Sequence, residues 1–125
     1  MTDRLKAVMY SAQVMDHFQR PRHAGTLEDA TAQVELTNPV CGDVLRLAVR
    51  VESGRVAAAR FKASGCVPAI ACGSWLAEWL EGRAVIELGA LTDKQVAERL
   101  GGLPPASRHA AQLAMDALRA LVQKL

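Results

Sequence analysis

Residues 45–62 read LRLAVRVESGRVAAARFK, the clearest strand pattern in this 125-residue chain. The first half alternates leucine and valine with arginine or alanine, which is the period of a half-buried strand. Residues 52–54, ESG, are turn formers, and Val56 and Phe61 suit a further strand, although the alanines between them would also fit a helix. The stretch therefore predicts two strands joined by a turn.

A third strand is predicted ahead of this pair, with helices before and after the strands. Residues 31–36, TAQVEL, alternate in the same way, so we expect three antiparallel strands in one sheet. Helical spacing of apolar residues, together with capping residues, glycines and prolines at the ends, predicts four helices. They are a leading helix over 10–19, a second from Pro68 to Gly82, a short third from Thr92 to Gly101 and a last one behind Pro104 and Pro105. The last helix has an aliphatic stripe that is predicted to pack on the sheet.

Length and composition predict a single domain over residues 1–125. Half of the residues are hydrophobic and 22% are charged, as in an ordinary globular protein, and a net charge of +2 without a basic cluster argues against nucleic-acid binding. There is no 18-residue apolar run and no export signal, so we expect neither membrane insertion nor secretion. The expected compartment is the cytoplasm, where cysteines stay reduced.

Residues 38–43, NPVCGD, place Cys41 in a turn between the first two strands, with Asp43 two positions later. Cys66 lies in the loop before the second helix, and His109 lies in the first turns of the last helix. All of these positions are ends of elements, which can converge at one edge of a small domain. For each residue alone, the alternatives are a buried cysteine, an aspartate bonded to its own turn and a structural histidine.

Two of the three cysteines differ in the chemistry that their positions predict. Cys66 precedes a helix N-terminus, whose N–H groups and dipole lower the pKa of a thiol, so a reactive thiolate is expected there. Cys72 lies inside the second helix, between Ala71 and Gly73, and this position favours packing in the core. Cys66 is therefore the stronger functional candidate.

Four separated motifs occur in the order found in one known family. They are YSAQVMDHFQRPRHAG over 10–25, NPVCGD over 38–43, ARFKASGCVPAIACGSWLAEWLEG over 59–82 and LPPASRHAAQLAMDAL over 103–118. In sequence and spacing they resemble the IscU/NifU-type iron-sulfur cluster assembly scaffolds over nearly the whole chain. The resemblance implies an α+β fold, in which an N-terminal helix and several C-terminal helices pack on one face of a three-stranded antiparallel sheet.

The resemblance also implies a set of metal ligands and a function. Family members bind iron and sulfide transiently at positions that correspond to Cys41, Asp43, Cys66 and His109, and they pass a 2Fe-2S cluster on to recipient proteins. They have a third cysteine directly after the histidine, where this chain has Ala110. Histidine replaces thiolates in some iron-sulfur centres, so the four remaining donors still make a cluster site. The resemblance implies a scaffold and not an enzyme.

The missing third cysteine keeps a second hypothesis open. Two thiolates, a carboxylate and an imidazole are also a tetrahedral set for zinc, which the purified protein can contain. On this alternative the chain is a degenerate family member that holds zinc, or that docks on a cysteine desulfurase as a regulatory binding module without building clusters.

The resemblance implies two kinds of partner besides the recipient proteins. A cysteine desulfurase is the expected sulfur donor, and the segment LPP over 103–105 resembles the family's docking motif for an Hsp70-type chaperone. The valine-lysine pair that normally follows this motif is Ala106-Ser107 here, which removes a positive charge. This replacement argues against chaperone binding.

Overall fold

The computed structural model describes residues 10–125. Over these residues the chain forms three strands and four α-helices in the order α1, β1, β2, β3, α2, α3, α4. Their bounds are α1 Ala12–Gln19, β1 Ala32–Thr37, β2 Val44–Glu52, β3 Arg55–Ser64, α2 Val67–Leu80, α3 Asp93–Arg99 and α4 Arg108–Val122. Short 3₁₀-helices at Val85–Ala90 and Pro105–Ser107 precede α3 and α4.

The strands form one antiparallel sheet in the order β1-β2-β3. Leu47 of the central strand β2 is the partner of Val34 in β1 and of Phe61 in β3. The two-residue turn between β2 and β3 consists of Ser53 and Gly54, whose φ angles are +52° and +76°. Two positive φ angles are typical of a type I′ hairpin turn, whose twist matches that of the strands. The turn therefore helps to fix the register of the sheet.

The hydrophobic core lies between the sheet and the helices that cover it. Leu45, Leu47 and Val49 of β2 are at most 1% exposed. Helix α2 packs on β3 and β2, α4 packs on β1 and β2, and α1 packs on α2. Small alanine side chains line much of the buried side of α2 and α4, so these helices can lie close to the sheet. The loops at the ends of these elements are left to form a site.

The structure confirms the predicted sheet with its helices and moves several of the expected ends by one or two residues. The leading helix begins two residues later than expected, at Ala12, because the side chain of Ser11 accepts a hydrogen bond from the N–H of Val14 and caps it. Strand β3 continues beyond the predicted stretch to Ser64. The 3₁₀-helix Val85–Ala90 was not predicted from the sequence.

Two expectations reach beyond the described part of the chain. Both the absence of an export signal and a single domain over residues 1–125 concern residues 1–9 as well, which lie outside the described residues. Within residues 10–125, none of the helices is long and apolar enough to cross a membrane.

Candidate metal site

The loop between β1 and β2 is held in shape by Asn38. Its Oδ1 accepts hydrogen bonds from the backbone N–H groups of Val40 (2.9 Å) and Cys41 (3.4 Å). Its own N–H donates to the carbonyl of Asp43 (2.8 Å), and Gly42 adopts the left-handed conformation, with a φ of +76°. The loop leaves Cys41 exposed and buries Asp43, which is 4% exposed.

The carboxylate of Asp43 contacts Cys66 at the start of α2. Oδ1 accepts a hydrogen bond from the backbone N–H of Cys66 (3.3 Å), and Oδ2 accepts one from the thiol (2.9 Å). Cys66 is the N-cap residue of α2, but its side chain makes no capping hydrogen bond. Asp43 therefore satisfies a backbone donor at this helix end from a distant part of the chain, and its negative charge lies at the favourable end of the helix dipole.

His109, the second residue of α4, completes the cluster. Its Nε2 lies 3.6 Å from Asp43 Oδ2 and 3.7 Å from the sulfur of Cys66. One donor atom each from Cys41, Asp43 and His109 also lie within 4.8 Å of one another. The structure thus brings the four predicted site residues together at one edge of the fold, as two groups of three that share Asp43 and His109.

The separations within this cluster suit a metal ion. A four-coordinate zinc ion with bonds of about 2.0–2.3 Å holds its ligand atoms about 3.3–3.8 Å apart. His109 Nε2 keeps such distances from Asp43 and from Cys66. The 2.9 Å contact between Cys66 and Asp43 is shorter because the thiol donates a hydrogen bond there. A metal ion bound to Cys66 would take the place of this thiol proton, since the thiolate is the form that binds metals.

The protonation states of Asp43 and Cys66 depend on each other. Burial disfavours the charged form of Asp43, but hydrogen bonds from the thiols of Cys66 and Cys41 and the proximity of His109 outweigh it and lower the pKa of this carboxyl. Burial and the Asp43 carboxylate raise the pKa of the Cys66 thiol to about 11, although the backbone N–H of Ala69 acts in the opposite direction. The expectation of a reactive thiolate at Cys66 is therefore wrong while Asp43 holds this position.

The sequence matches the NifU-like N terminal domain family over residues 9–125. The chain belongs to this family. It is 43% identical over 111 residues to the iron-sulfur cluster assembly scaffold protein IscU 1 of Archaeoglobus fulgidus, covering 89% of this chain and 72% of that protein. It is 39% identical over 117 residues to the iron-sulfur cluster assembly scaffold protein IscU of Haemophilus influenzae, covering 90% and 92%. These matches confirm the resemblance to IscU/NifU-type scaffolds.

The fold is also found in a solved structure of the same family name. The N-terminal part of a nitrogen-fixing NifU-like protein from Brucella abortus superposes with a TM-score of 0.75 at 17% sequence identity, covering 93% of each chain. At this identity the likeness concerns the fold alone. It agrees with the α+β architecture that the motifs implied.

The position of the missing family cysteine belongs to the hydrophobic core of this NifU-like chain. Ala110 follows His109 in α4, is 1% exposed and packs among the buried residues. Cys72 is also 1% exposed, and burial raises the pKa of its thiol to about 12, in agreement with the predicted packing role. Of the three cysteines, Cys41 and Cys66 therefore contribute their thiols to the candidate metal site, and Cys72 does not.

The other histidines of the described residues have protein partners. Nδ1 of His17 lies 2.8 Å from Ser74 Oγ, and Nδ1 of His23 lies 2.6 Å from the carboxylate of Glu81. The sequence pointed to a structural alternative for such residues, but not to these partners. Sequence reasoning also assigned no role to Gly65. A glycine directly before Cys66 is, however, a signal that other atoms approach the backbone closely there.

Proposed function

We propose that this chain is a scaffold that binds iron and sulfide at Cys41, Asp43, Cys66 and His109 and assembles a 2Fe-2S cluster for recipient proteins. The observation that carries the proposal is the meeting of two thiols, a carboxylate and an imidazole from three separate parts of the chain. The names of the relatives, which are iron-sulfur cluster assembly scaffold proteins, support it. The cluster is the cargo of this chain, so we propose a scaffold and not an enzyme.

The four donors differ in their access to solvent. Cys41 is exposed, and the side chain of its neighbour Val40 is 94% exposed. Cys66 is half-buried and Asp43 is buried. The exposed loop is therefore the part of the site that meets incoming iron, a sulfur donor or a recipient protein. Cys66, Asp43 and His109 form the inner part, which bonds to the iron once it has arrived.

Asp43 and Cys66 together make binding reversible. The Cys66 thiol keeps its proton and donates it in a hydrogen bond to Asp43. When iron binds the sulfur, the thiol proton passes to solvent and the hydrogen bond is lost, which frees a carboxylate oxygen of Asp43 to act as a ligand. When the cluster is transferred, a proton returns to Cys66 and the hydrogen bond re-forms. Burial and the Asp43 carboxylate raise the pKa of this thiol, which favours the protonated form when no iron is bound.

A cysteine desulfurase is the proposed sulfur donor, and recipient apo-proteins are the proposed acceptors of the cluster. With Ala110 in the place of the third cysteine, sulfur must be received by Cys41 or Cys66. The exposure of Cys41 and of Val40 beside it supports the loop as the contact with both kinds of partner. No role for an Hsp70-type chaperone is proposed.

The second candidate is a zinc-holding or desulfurase-docking module that builds no clusters. Ala110 favours it, because a buried methyl group cannot bind iron or carry sulfur. The distances of His109 from Asp43 and Cys66 are also those of a tetrahedral zinc site. The two candidates use the same four residues and differ in what these residues hold.

Anaerobic reconstitution tests the two candidates against each other. The wild-type chain is incubated with ferrous iron, cysteine, a cysteine desulfurase and a thiol reductant, which supplies the electrons that turn persulfide sulfur into sulfide. Visible absorption is recorded with iron, sulfide and zinc analysis. One 2Fe-2S cluster per chain supports the scaffold. Zinc without iron or sulfide supports the second candidate and contradicts the scaffold.

Two serine variants test the assignment of the thiols in the same assay. Cys66→Ser removes a proposed ligand, whereas Cys72→Ser changes a buried cysteine in the same helical region, which makes it the matched control. We expect Cys66→Ser to lose the cluster and Cys72→Ser to retain it. Equal cluster yields from the two variants would contradict the role of Cys66.

A further inference from the structure

The missing side chain of Gly65 provides the space that the carboxylate of Asp43 occupies. A Cβ atom on Gly65 would lie 2.0 Å from Oδ1 and 2.5 Å from Cγ of Asp43. Both distances are below 3.0 Å, a separation that real Cβ atoms essentially never show, so something would have to shift. Because Asp43 reaches Cys66 through this space, the residue before Cys66 has to be the one without a side chain.

Backbone conformation favours glycine at position 65, and the carboxylate of Asp43 adds a second, separate reason. Gly65 has a φ of +129°. Gly25, whose N–H donates a hydrogen bond to the carbonyl of Phe61 in β3, has a nearly equal φ of +134°. A Cβ atom on Gly25 would meet no heavy atom within 4 Å. Alanine at either position is strained by the positive φ. Only at position 65 does it also collide with a carboxylate.

The way in which Asp43 can escape this collision has a consequence for the site. The Cβ of Asp43 is 3.1 Å from the Cβ position of residue 65, so rotation of the Asp43 side chain would relieve most of the overlap. This rotation breaks the two hydrogen bonds of Asp43 to Cys66. It also moves Oδ2 away from the position 3.6 Å from His109 Nε2.

We propose that Gly65 is a positioning residue of the metal site: its missing side chain lets Asp43 turn its carboxylate towards Cys66 and His109. Gly65 touches no metal and acts only through Asp43. The inference rests on the proposed function, because it takes Asp43 as a ligand. It goes further by assigning to Gly65 a second task beside its positive φ, namely room for the carboxylate of Asp43.

Titration with Co²⁺ tests the proposal, because Co²⁺ occupies zinc-type sites and gives a thiolate-to-cobalt absorption band. Loss of the supporting group of a ligand weakens metal binding by about 10- to 100-fold, and we expect a loss of this size for Gly65→Ala. Gly25→Ala is the matched control, and we expect it to bind Co²⁺ as the wild type does. Both variants are expected to lose thermal stability, since both carry the strain of a positive φ.

A double variant shows whether Gly65 acts through Asp43. In the Asp43→Ala chain the carboxylate is gone, so the further change Gly65→Ala is expected to leave Co²⁺ affinity unchanged. An equal loss with and without the carboxylate would overturn the proposal, as would equal affinities of Gly65→Ala and Gly25→Ala. If Gly65→Ala unfolds the chain, the Tm of the double variant with Asp43→Ala decides. A folded double variant supports the collision between residue 65 and the Asp43 carboxylate. A double variant that is also unfolded overturns the proposal.

The outcome also separates this inference from the proposed function. A wild-type chain without the thiolate-to-cobalt band overturns this inference alone, whereas the proposed function is decided by the reconstitution with iron and sulfur. A wild-type chain that binds Co²⁺, with Gly65→Ala binding it equally well, contradicts only the role of Gly65.

Discussion

Two histidines of this chain face a short polar side chain on or beside α2, but in different surroundings. In the His17 cluster, His17 is 7% exposed, its Nδ1 lies 2.8 Å from Ser74 Oγ, and the same Oγ accepts the N–H of Arg22 (2.8 Å). In the His109 cluster, formed with Cys41, Asp43 and Cys66, the His109 side chain is 35% exposed. The first cluster joins α1 to α2 through the contact of His17 with Ser74. The second lies at the edge of the fold where β2, α2 and α4 begin.

The two clusters differ in how closely the chain's own side chains pair with the histidine. The contact of His17 with Ser74 has the length of a good hydrogen bond, so this imidazole is used structurally. The contacts of His109 are longer, 3.6 Å to Asp43 Oδ2 and 3.7 Å to the sulfur of Cys66, and the side chain is 35% exposed, so this imidazole is held less tightly than that of His17. Longer contacts at an exposed edge, and not the residue type, distinguish the candidate ligand His109 from the structural histidine His17.

The largest effect is expected from Ser74→Ala, which opens the His17 cluster. This change leaves Nδ1 of His17 and the N–H of Arg22 without a partner, which costs about 1–3 kcal/mol in the free energy of unfolding. Urea unfolding measures this loss, and Thr26→Ala, which removes an exposed hydroxyl, is the control. Co²⁺ binding is expected to stay at the wild-type level. Weaker Co²⁺ binding by Ser74→Ala would mean that the two clusters are not independent.

A second effect is a pH dependence of stability that comes from His17. Burial lowers the pKa of His17 below its ordinary value of 6.5, and the charge of Arg22 acts in the same direction, against Glu78 and Asp16. The unfolded chain therefore binds a proton near pH 6.5, and the native chain binds it only at lower pH. The stability that His17 contributes above pH 6.5 is lost as the pH falls towards its native pKa, by up to about 1.4 kcal/mol per pH unit.

His17→Gln isolates this contribution from that of the other titrating groups. Urea unfolding of the wild type and of this variant is measured from about pH 7.5 down to about pH 5, across the ordinary pKa of histidine. We expect the stability advantage of the wild type to shrink as the pH falls. A difference between the two proteins that does not change with pH would contradict the neutral, buried state of His17.

A smaller effect is expected from Ala110→Cys in the His109 cluster. This change restores the thiol that the family resemblance places after the histidine, so a chelator should remove the 2Fe-2S cluster more slowly. Ala111→Cys is the matched control, because residue 111 is also buried, at 3% exposed, but lies one helix position further on. Equal rates for both variants and the wild type would mean that position 110 does not face the metal.

The fold was largely predictable because its signals are local. The alternation in β1 and β2 marks strands without any knowledge of their partners, and residues 52–54 carry the turn that joins β2 to β3. The 3₁₀-helix Val85–Ala90 was missed, since six residues with one buried leucine have no recognisable period. The exact start of α1 depends on a single capping bond of Ser11.

The candidate site was predictable in its members but not in its chemistry. Cys41, Asp43, Cys66 and His109 were found from their places at element ends and from the family motifs. The raised pKa of Cys66 was not foreseen, because its causes are burial and a carboxylate 23 positions away in the chain. The task proposed for Gly65 depends on the same long-range contact.

Pulsed EPR of the dithionite-reduced cluster compares the two histidine clusters directly. If Cys41, Asp43, Cys66 and His109 together hold the 2Fe-2S cluster, the wild type gives a hyperfine coupling from a histidine nitrogen. We predict that His17→Gln keeps this coupling and that His109→Ala loses it. A wild-type cluster without a nitrogen coupling, or a coupling that persists in His109→Ala, would contradict the account.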